Sequence, residues 1–177
     1  VMSWGGNASG QLGDGTTTDS ETPVAVCAVG TVGPCPTGPY LEGVKAIAAS
    51  DQYGLALLES GRVVAWGSDN DGELGNGSET SSDVPVAVSG LSGVSAISAG
   101  ESHNLALLGN GTIMAWGSNI SGQLGDGTAT GPENCGTPAT FPCSKTPVAV
   151  EALSGVTAVA AAKHHSLAML ANGAVEA

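Results

Sequence analysis

The 177-residue chain has few aromatic and few charged side chains, at 3% and 11% of the sequence. Only four Lys and Arg residues stand against 16 Asp and Glu, and the formal net charge is −12. Nucleic acids and anionic membrane surfaces are bound through clustered cations, so this charge balance disfavours both partners. No apolar run approaches the roughly 18 residues of a membrane-spanning helix, and we expect no membrane insertion.

What the chain has in quantity is glycine, with 28 residues, and apolar side chains, at 41% of the sequence. That apolar fraction is sufficient for a buried core, and the low density of charge is not that of a disordered chain. Frequent glycine together with few charges is typical of a turn-rich β protein rather than a helical bundle. The composition therefore predicts an all-β fold.

Three copies of one pattern run along the sequence. Each copy begins with Trp-Gly, continues through Leu-Gly-(Asp/Asn)-Gly-(Thr/Ser) and reaches Pro-Val-Ala-Val; the three tryptophans are Trp4, Trp66 and Trp116. The last two tryptophans are 50 residues apart, and repeats of this length are typical of propellers. We divide the single segment 1–177 into units of about 4–65, 66–115 and 116–177. Because its first and last residues share one repeat phase, we interpret the segment as part of a larger ring or assembly.

The second unit, which has no insertion, shows the strand pattern most simply. Its short apolar and β-branched runs predict four strands: Val86–Val88, Val94–Ala99, His103–Leu108 and Thr112–Trp116. Asn110-Gly111 predicts a tight hairpin turn between the last two. Radially repeated four-stranded antiparallel sheets form a β-propeller, so we expect about three blades.

Several of these motifs resemble a known family. The segment Gly100 to Leu107, the pair Asn110-Gly111, Ala115-Trp116-Gly117 and Gly122-Gln123-Leu124-Gly125 are similar to the regulator of chromosome condensation repeat, and all three units match. The resemblance implies a propeller, usually of seven blades, that serves as a protein-binding platform. Members of this family include a guanine nucleotide exchange factor for a small GTPase, a plant ultraviolet photoreceptor and a secreted bacterial inhibitor of β-lactamases.

Two insertions, residues 27–40 and 131–144, each carry a pair of cysteines eight residues apart. We predict the disulfides Cys27–Cys35 and Cys135–Cys143, because each would close a short ring within a loop rich in Pro and Gly. Free thiols or a metal site are the alternatives, although no His lies nearby in sequence. Disulfides would indicate an oxidising compartment, and we therefore expect an extracellular or cell-surface protein.

Tyr53, His103 and His165 occupy the same position in successive units. Catalytic groups are rarely copied once per repeat, so these side chains, like the three tryptophans, are predicted to be structural. Asp69 and Asp71 are a weak candidate for calcium, since their loop lacks the terminal carboxylates of an EF-hand. Asn7 and Asn119 begin Asn-X-Ser triplets and are candidate glycosylation sites. We find no pattern that indicates an enzyme or a cofactor.

The sequence predicts a protein-binding scaffold that uses its loops and insertions, with Tyr40 and Phe141 as candidate apolar contacts. One alternative is a building block that assembles through exposed blade edges into a ring or filament. A second alternative, implied by the family resemblance, is a regulator of the nucleotide exchange factor type.

Overall fold

The structure is a computed structural model that describes residues 1–136 and 140–177, so residues 137–139 of the second insertion lie outside the described residues. The described residues form fourteen strands and no helix. The strands are β1 (Met2–Gly5), β2 (Ser20–Ala25), β3 (Val44–Ala49), β4 (Tyr53–Leu58), β5 (Val63–Gly67), β6 (Ser82–Ala87), β7 (Val94–Ala99), β8 (His103–Leu108), β9 (Ile113–Ser118), β10 (Glu133–Cys135), β11 (Phe141–Ala149), β12 (Val156–Ala161), β13 (Ser166–Leu170) and β14 (Val175–Glu176). No helix in the described part of the chain is long and apolar enough to cross a membrane.

The strands form four antiparallel sheets, which we name blades one to four. Blade one is β1-β2, blade two is β3-β4-β5-β6, blade three is β10-β11-β9-β8-β7 and blade four is β12-β13-β14. The predicted all-β class with antiparallel propeller blades is thus confirmed. The strand count differs from blade to blade, because only blades two and three contain the full set of four repeat strands.

The grouping of strands into sheets differs from the grouping suggested by the second unit. The Pro-Val-Ala strand β6 pairs with β5, with Val64 opposite Ala87, and closes blade two rather than opening blade three. Each blade therefore starts at the Gly-Val segment and ends after Pro-Val-Ala. The sequence pattern showed the strands but not their partners, since pairing across a long loop leaves no local signal.

The core lies between the blades. One apolar cluster joins blades one and two around Trp66, a second joins blades two and three around Trp116, and a third joins blades three and four around Leu105. Ala106 and Ala115 are fully buried, and such small side chains allow neighbouring sheets to approach closely. Each blade is consequently stabilised by its neighbours, as in other repeat proteins.

Tight turns connect the second and third strands of the blades. Gly61, Gly111 and Gly173 have φ values of +76°, +81° and +83°, in the left-handed region that glycine adopts without a steric penalty. In blade three, the amide of Leu108 donates to Thr112 O at 2.9 Å and closes the hairpin. The turn in blade three is the one that Asn110-Gly111 predicts, and Ser60-Gly61 and Asn172-Gly173 occupy the matching turns of blades two and four.

Candidate binding surface

Two of the repeat tryptophans link neighbouring blades. The indole Nε1 of Trp66 donates to Gln11 O at 2.9 Å, and that of Trp116 donates to Glu73 O at 2.8 Å. Trp116 is fully buried, whereas Trp4, which has no preceding blade in this chain, is 65% exposed. The tryptophan position thus joins each blade to the loop of the blade before it.

The Tyr53/His103 position forms a second link, toward the following blade. The Tyr53 hydroxyl donates to Gly100 O at 2.9 Å, and His103 Nε2 lies 3.0 Å from Ser166 Oγ. Because Ser166 donates its only hydroxyl proton to Gln123 O at 2.7 Å, Nε2 of His103 carries the proton in its contact with Ser166. Burial lowers the pKa of His103 to about 4, so this imidazole is neutral. His165, at the same position in blade four, is exposed.

A long loop follows each of the strands β1, β5 and β9. One buried side chain organises each of these loops. In each loop a side-chain oxygen accepts the amide of a leucine five residues later, at 2.9, 2.9 and 3.0 Å. The pairs are Asn7 with Leu12, Asp69 with Leu74 and Asn119 with Leu124. We name these segments the capped loops: residues 7–16, 69–78 and 119–128. Asn7 and Asn119 are fully buried, which excludes them as glycosylation acceptors in the folded protein.

The capped loop of blade two carries three carboxylates, whereas each of the other two carries one, Asp14 or Asp126. Asp69, Asp71 and Glu73 replace the Asn, Ser and Gln found at the matching positions of the other two loops. Burial raises the pKa of Glu73 to about 8 and that of Asp69 to about 6, and it also raises the pKa of Asp71. Tyr53 lies close to these carboxylates, and burial followed by the charge of Glu73 raises its pKa well above the usual value.

The carboxylates of this loop are used within the protein. Asp69 accepts the Leu74 amide through Oδ1 and the Ser78 hydroxyl, at 3.1 Å, through Oδ2. Glu73 Oε2 accepts the Asp71 amide at 2.7 Å. Among residues 1–136 and 140–177, no three His, Cys, Asp or Glu side chains gather as metal ligands. The calcium hypothesis for Asp69 and Asp71 therefore gains no support from the geometry.

The first insertion presents an exposed apolar surface. Cys27 and Cys35 form a disulfide with their Cα atoms 5.8 Å apart. An isolated antiparallel β-bridge between the backbones of Cys27 and Tyr40 closes the base of the insertion. Val29, Val32 and Tyr40 are 45%, 96% and 39% exposed. Apolar side chains on a covalently closed loop form a preorganised contact surface.

The second insertion is held against blade two. Cys135 and Cys143 form a disulfide with Cα atoms 5.8 Å apart, and Phe141 lies half-buried on β11. Glu79 of blade two accepts the Gly136 amide at 3.0 Å and the Lys145 ammonium at 2.9 Å. No large apolar side chain is exposed among the described residues of this insertion, so its described part offers less free apolar surface than the first insertion.

Sequence reasoning did not identify two of these features. One is the Glu79 contact, which joins residues far apart in sequence and leaves no local pattern. The other is the acidic loop as a buried cluster. The sequence carries a signal for this cluster at two positions seven residues apart. They hold Asn7 and Asp14 in the first loop and Asn119 and Asp126 in the third, but Asp69 and Asn76 in the second.

Comparison with known proteins identifies the repeat. The family described as "Regulator of chromosome condensation (RCC1) repeat" matches residues 1–57, 60–107 and 110–169. The chain is 32% identical over 94 residues to RCC1 domain-containing protein RUG3, mitochondrial, of Arabidopsis thaliana; the match covers 52% of this chain and 18% of that protein. It is 34% identical over 92 residues to the human E3 ubiquitin-protein ligase HERC2, covering 51% of this chain and 2% of HERC2.

Among solved structures, yeast RCC1 (Prp20), crystallised with Kap60, superposes on 98% of this chain with a TM-score of 0.74 and 22% sequence identity. The superposed part is 38% of that chain, so the present segment spans much less than the length of its relatives. The family match extends over nearly the whole sequence, and the chain belongs to the regulator of chromosome condensation (RCC1) repeat family.

Proposed function

We propose that this chain is a non-enzymatic protein-binding scaffold that recognises its partner through the first insertion. The observation that carries the proposal is the exposure of Val29, Val32 and Tyr40 on a loop closed by a disulfide. Exposed apolar surface marks interaction sites, and these three exposed side chains all belong to one short insertion, residues 27–40. The rigid blades beneath the loop lower the entropic cost of ordering it on binding.

Relatives support a protein partner. Yeast RCC1 (Prp20) was crystallised bound to Kap60, and a second structure of Prp20p was solved with a study of its binding to Gsp1p and histones. HERC2 is named a ligase, but its match with this chain covers only 2% of its length, so that activity is not transferred here. From these relatives we infer for this chain only the binding of a protein partner.

We infer an extracellular or cell-surface location from the cysteines. The four cysteines form two disulfides, and no free cysteine remains among the described residues. Disulfides persist in oxidising compartments and are rare in the cytosol. This chemistry favours a surface scaffold over the intracellular exchange factor.

The test is site-specific photo-crosslinking with p-benzoylphenylalanine at Val32 of the full-length protein in its native extract. We expect one discrete adduct that is absent when the same probe replaces Ser60, which is exposed on a hairpin turn of blade two. Adding Tyr40→Ala to the Val32 probe should abolish the adduct if the insertion is the contact surface. The same adducts from both probe positions, or none from Val32, would contradict the proposal.

A second candidate function is assembly with further blades or with copies of the chain. It is favoured by Trp4, which is 65% exposed although Trp66 and Trp116 each donate to the loop of a preceding blade. A neighbouring sheet that supplied a loop carbonyl would give Trp4 the same environment.

A further inference from the structure

A groove lies between the first insertion and blade one. Its walls come from three segments: β2, the capped loop of blade one and the disulfide-closed insertion. The lining residues are Asp14, Thr16, Val24, Ala25, Pro34 and Tyr40, together with Cys35 and Pro36. The groove therefore combines the carboxylate of Asp14 and the hydroxyl of Thr16 with a wall that is otherwise mostly apolar.

Only one of the two carboxylate oxygens of Asp14 accepts hydrogen bonds from the described residues. Its Oδ1 accepts three hydrogen bonds: from Asn7 Nδ2 at 3.3 Å, from the Thr16 amide at 3.0 Å and from Thr16 Oγ1 at 2.8 Å. The structure shows no hydrogen bond to Oδ2 from any described residue. The three bonds fix the carboxylate in place and leave one charged oxygen available to a ligand.

Tyr40 forms the aromatic part of the wall. Its hydroxyl donates to Pro36 O at 3.0 Å, which holds the ring across the insertion, and the side chain is 39% exposed. Aromatic and proline surfaces pack against the aliphatic stem of Lys or Arg, and an aromatic face attracts the cationic head. A carboxylate beside such a surface suits a cationic side chain.

The charge of the surrounding chain points to the same ligand. Residues 1–44 contain Asp14, Asp19, Glu21 and Glu42 but no Lys or Arg. The ion pairs in the described part of the chain involve only Lys145 and Lys163, so none neutralises these four acids. Anionic ligands are repelled here, whereas a basic segment gains both approach rate and specificity.

We propose that this groove receives an arginine or lysine side chain from the protein partner, with Asp14 Oδ2 as the acceptor and Tyr40 as the packing surface. This inference rests on the proposed function. The partner then presents an apolar surface to Val29 and Val32, with a basic residue beside that surface to enter the groove.

The test uses ¹⁵N-labelled protein and two probes, acetyl-Gly-Arg-Gly-amide and the same peptide with citrulline, which has a similar shape but no charge. We expect the arginine peptide to shift the amide resonances of Thr16, Cys35 and Tyr40 and to bind about tenfold more tightly than the citrulline peptide. Equal binding of both peptides, or shifts spread over all blades, would overturn the proposal.

Two matched variants complete the test. Asp14→Asn should weaken the arginine peptide about tenfold, to the level of the citrulline peptide. Asn76 at the matching position of blade two accepts the Ser78 amide through Oδ1 at 2.8 Å, as Asp14 accepts the Thr16 amide, so an amide oxygen can take this role. Asp126→Asn, the same change in the capped loop of blade three, should leave binding unchanged.

Unaltered binding by Asp14→Asn would overturn the arginine groove. If the Val32 probe still gave its adduct in that case, the proposed scaffold function would be retained and only the proposed arginine groove would be rejected. Loss of the adduct with retained peptide binding would instead contradict the proposed function.

Discussion

Individual residues of the repeat occupy matching positions but meet different environments. Trp116 is fully buried and hydrogen-bonded, whereas Trp4 at the same position is 65% exposed. Likewise, Glu73 is enclosed in a loop with two further carboxylates, whereas the loops of blades one and three contain amides. The sequence identifies such positions, but their energetics depend on the neighbouring blade.

The first prediction concerns Glu73→Gln. The pKa of Glu73 is raised to about 8 from an ordinary value of 4.5, so the folded protein retains a proton that the unfolded chain releases. Stability from this group is fully present below pH 4.5 and is lost as the pH rises through 8. Glutamine is the native residue at positions 11 and 123, where its Oε1 accepts the amide of the residue two positions earlier, as Glu73 accepts the Asp71 amide.

At pH 8.5 we expect Glu73→Gln to raise the free energy of unfolding by on the order of 2 kcal/mol, with little change at pH 5. Urea unfolding at the two pH values measures this difference. The control is Glu59→Gln, on an exposed hairpin turn, which should behave as the parent at both. A Glu73→Gln variant less stable than the parent at pH 8.5 would show that the charge is stabilising.

His103 gives the opposite dependence at lower pH. Its pKa is lowered to about 4 from 6.5, chiefly by burial and then by the charges of His165 and His164. Stability from this group is present above pH 6.5 and is lost as the pH falls through 4. His103→Gln removes the titrating group while retaining a donor near Ser166.

We therefore expect the parent to lose on the order of 2 kcal/mol more stability than His103→Gln between pH 6.5 and pH 4. Chemical unfolding across that range measures the difference. His165→Gln removes a smaller contribution to the lowered His103 pKa and should reduce this loss of stability only slightly, because burial is the larger cause. Parallel pH curves for the parent and His103→Gln would refute a buried neutral imidazole.

At the scale of strands and loops, local pattern was sufficient for some elements and not for others. Val94–Ala99 and His103–Leu108 were predicted with the bounds that the structure has, because both are apolar runs bounded by turns. The partner of β6 was not predictable, since a long loop separates it from β5. In the candidate site, the cysteine pairs followed from spacing, whereas the Asp14 groove required the insertion to fold back on its blade.

The two insertions allow a matched test of their disulfides. Each bond spans a sequence separation of eight, so chain entropy predicts the same contribution of about 2.5 kcal/mol for both. Cys27→Ala with Cys35→Ala and Cys135→Ala with Cys143→Ala should therefore lower the unfolding free energy by similar amounts while the circular dichroism of the blades is unchanged. A much larger loss for the second pair would show that its disulfide also supports the Glu79 contact and the pairing of β10.

At the scale of the whole molecule, every apolar cluster lies between two blades, so each sheet needs a neighbour on both faces. The outermost sheets of this chain have one neighbour each, and they expose Met2, Trp4 and Val175 at 52%, 65% and 63%. Apolar blade faces of repeat proteins associate unless they are covered by polar caps. The sheets at the two ends are thus where the segment is expected to contact further blades.

For the 177-residue chain in isolation, this geometry predicts self-association. Light scattering over about a hundredfold range of concentration should show a mass that rises with concentration, because the blade faces bury apolar area on contact. Trp4→Ser should shift the association to about tenfold higher concentration by removing the largest exposed apolar side chain of that face. Val32→Ser, which changes the insertion and not a blade face, should associate as the parent does. A monomer at every concentration would reject assembly between copies, and equal effects of the two substitutions would place the contact in the insertion rather than on the blade.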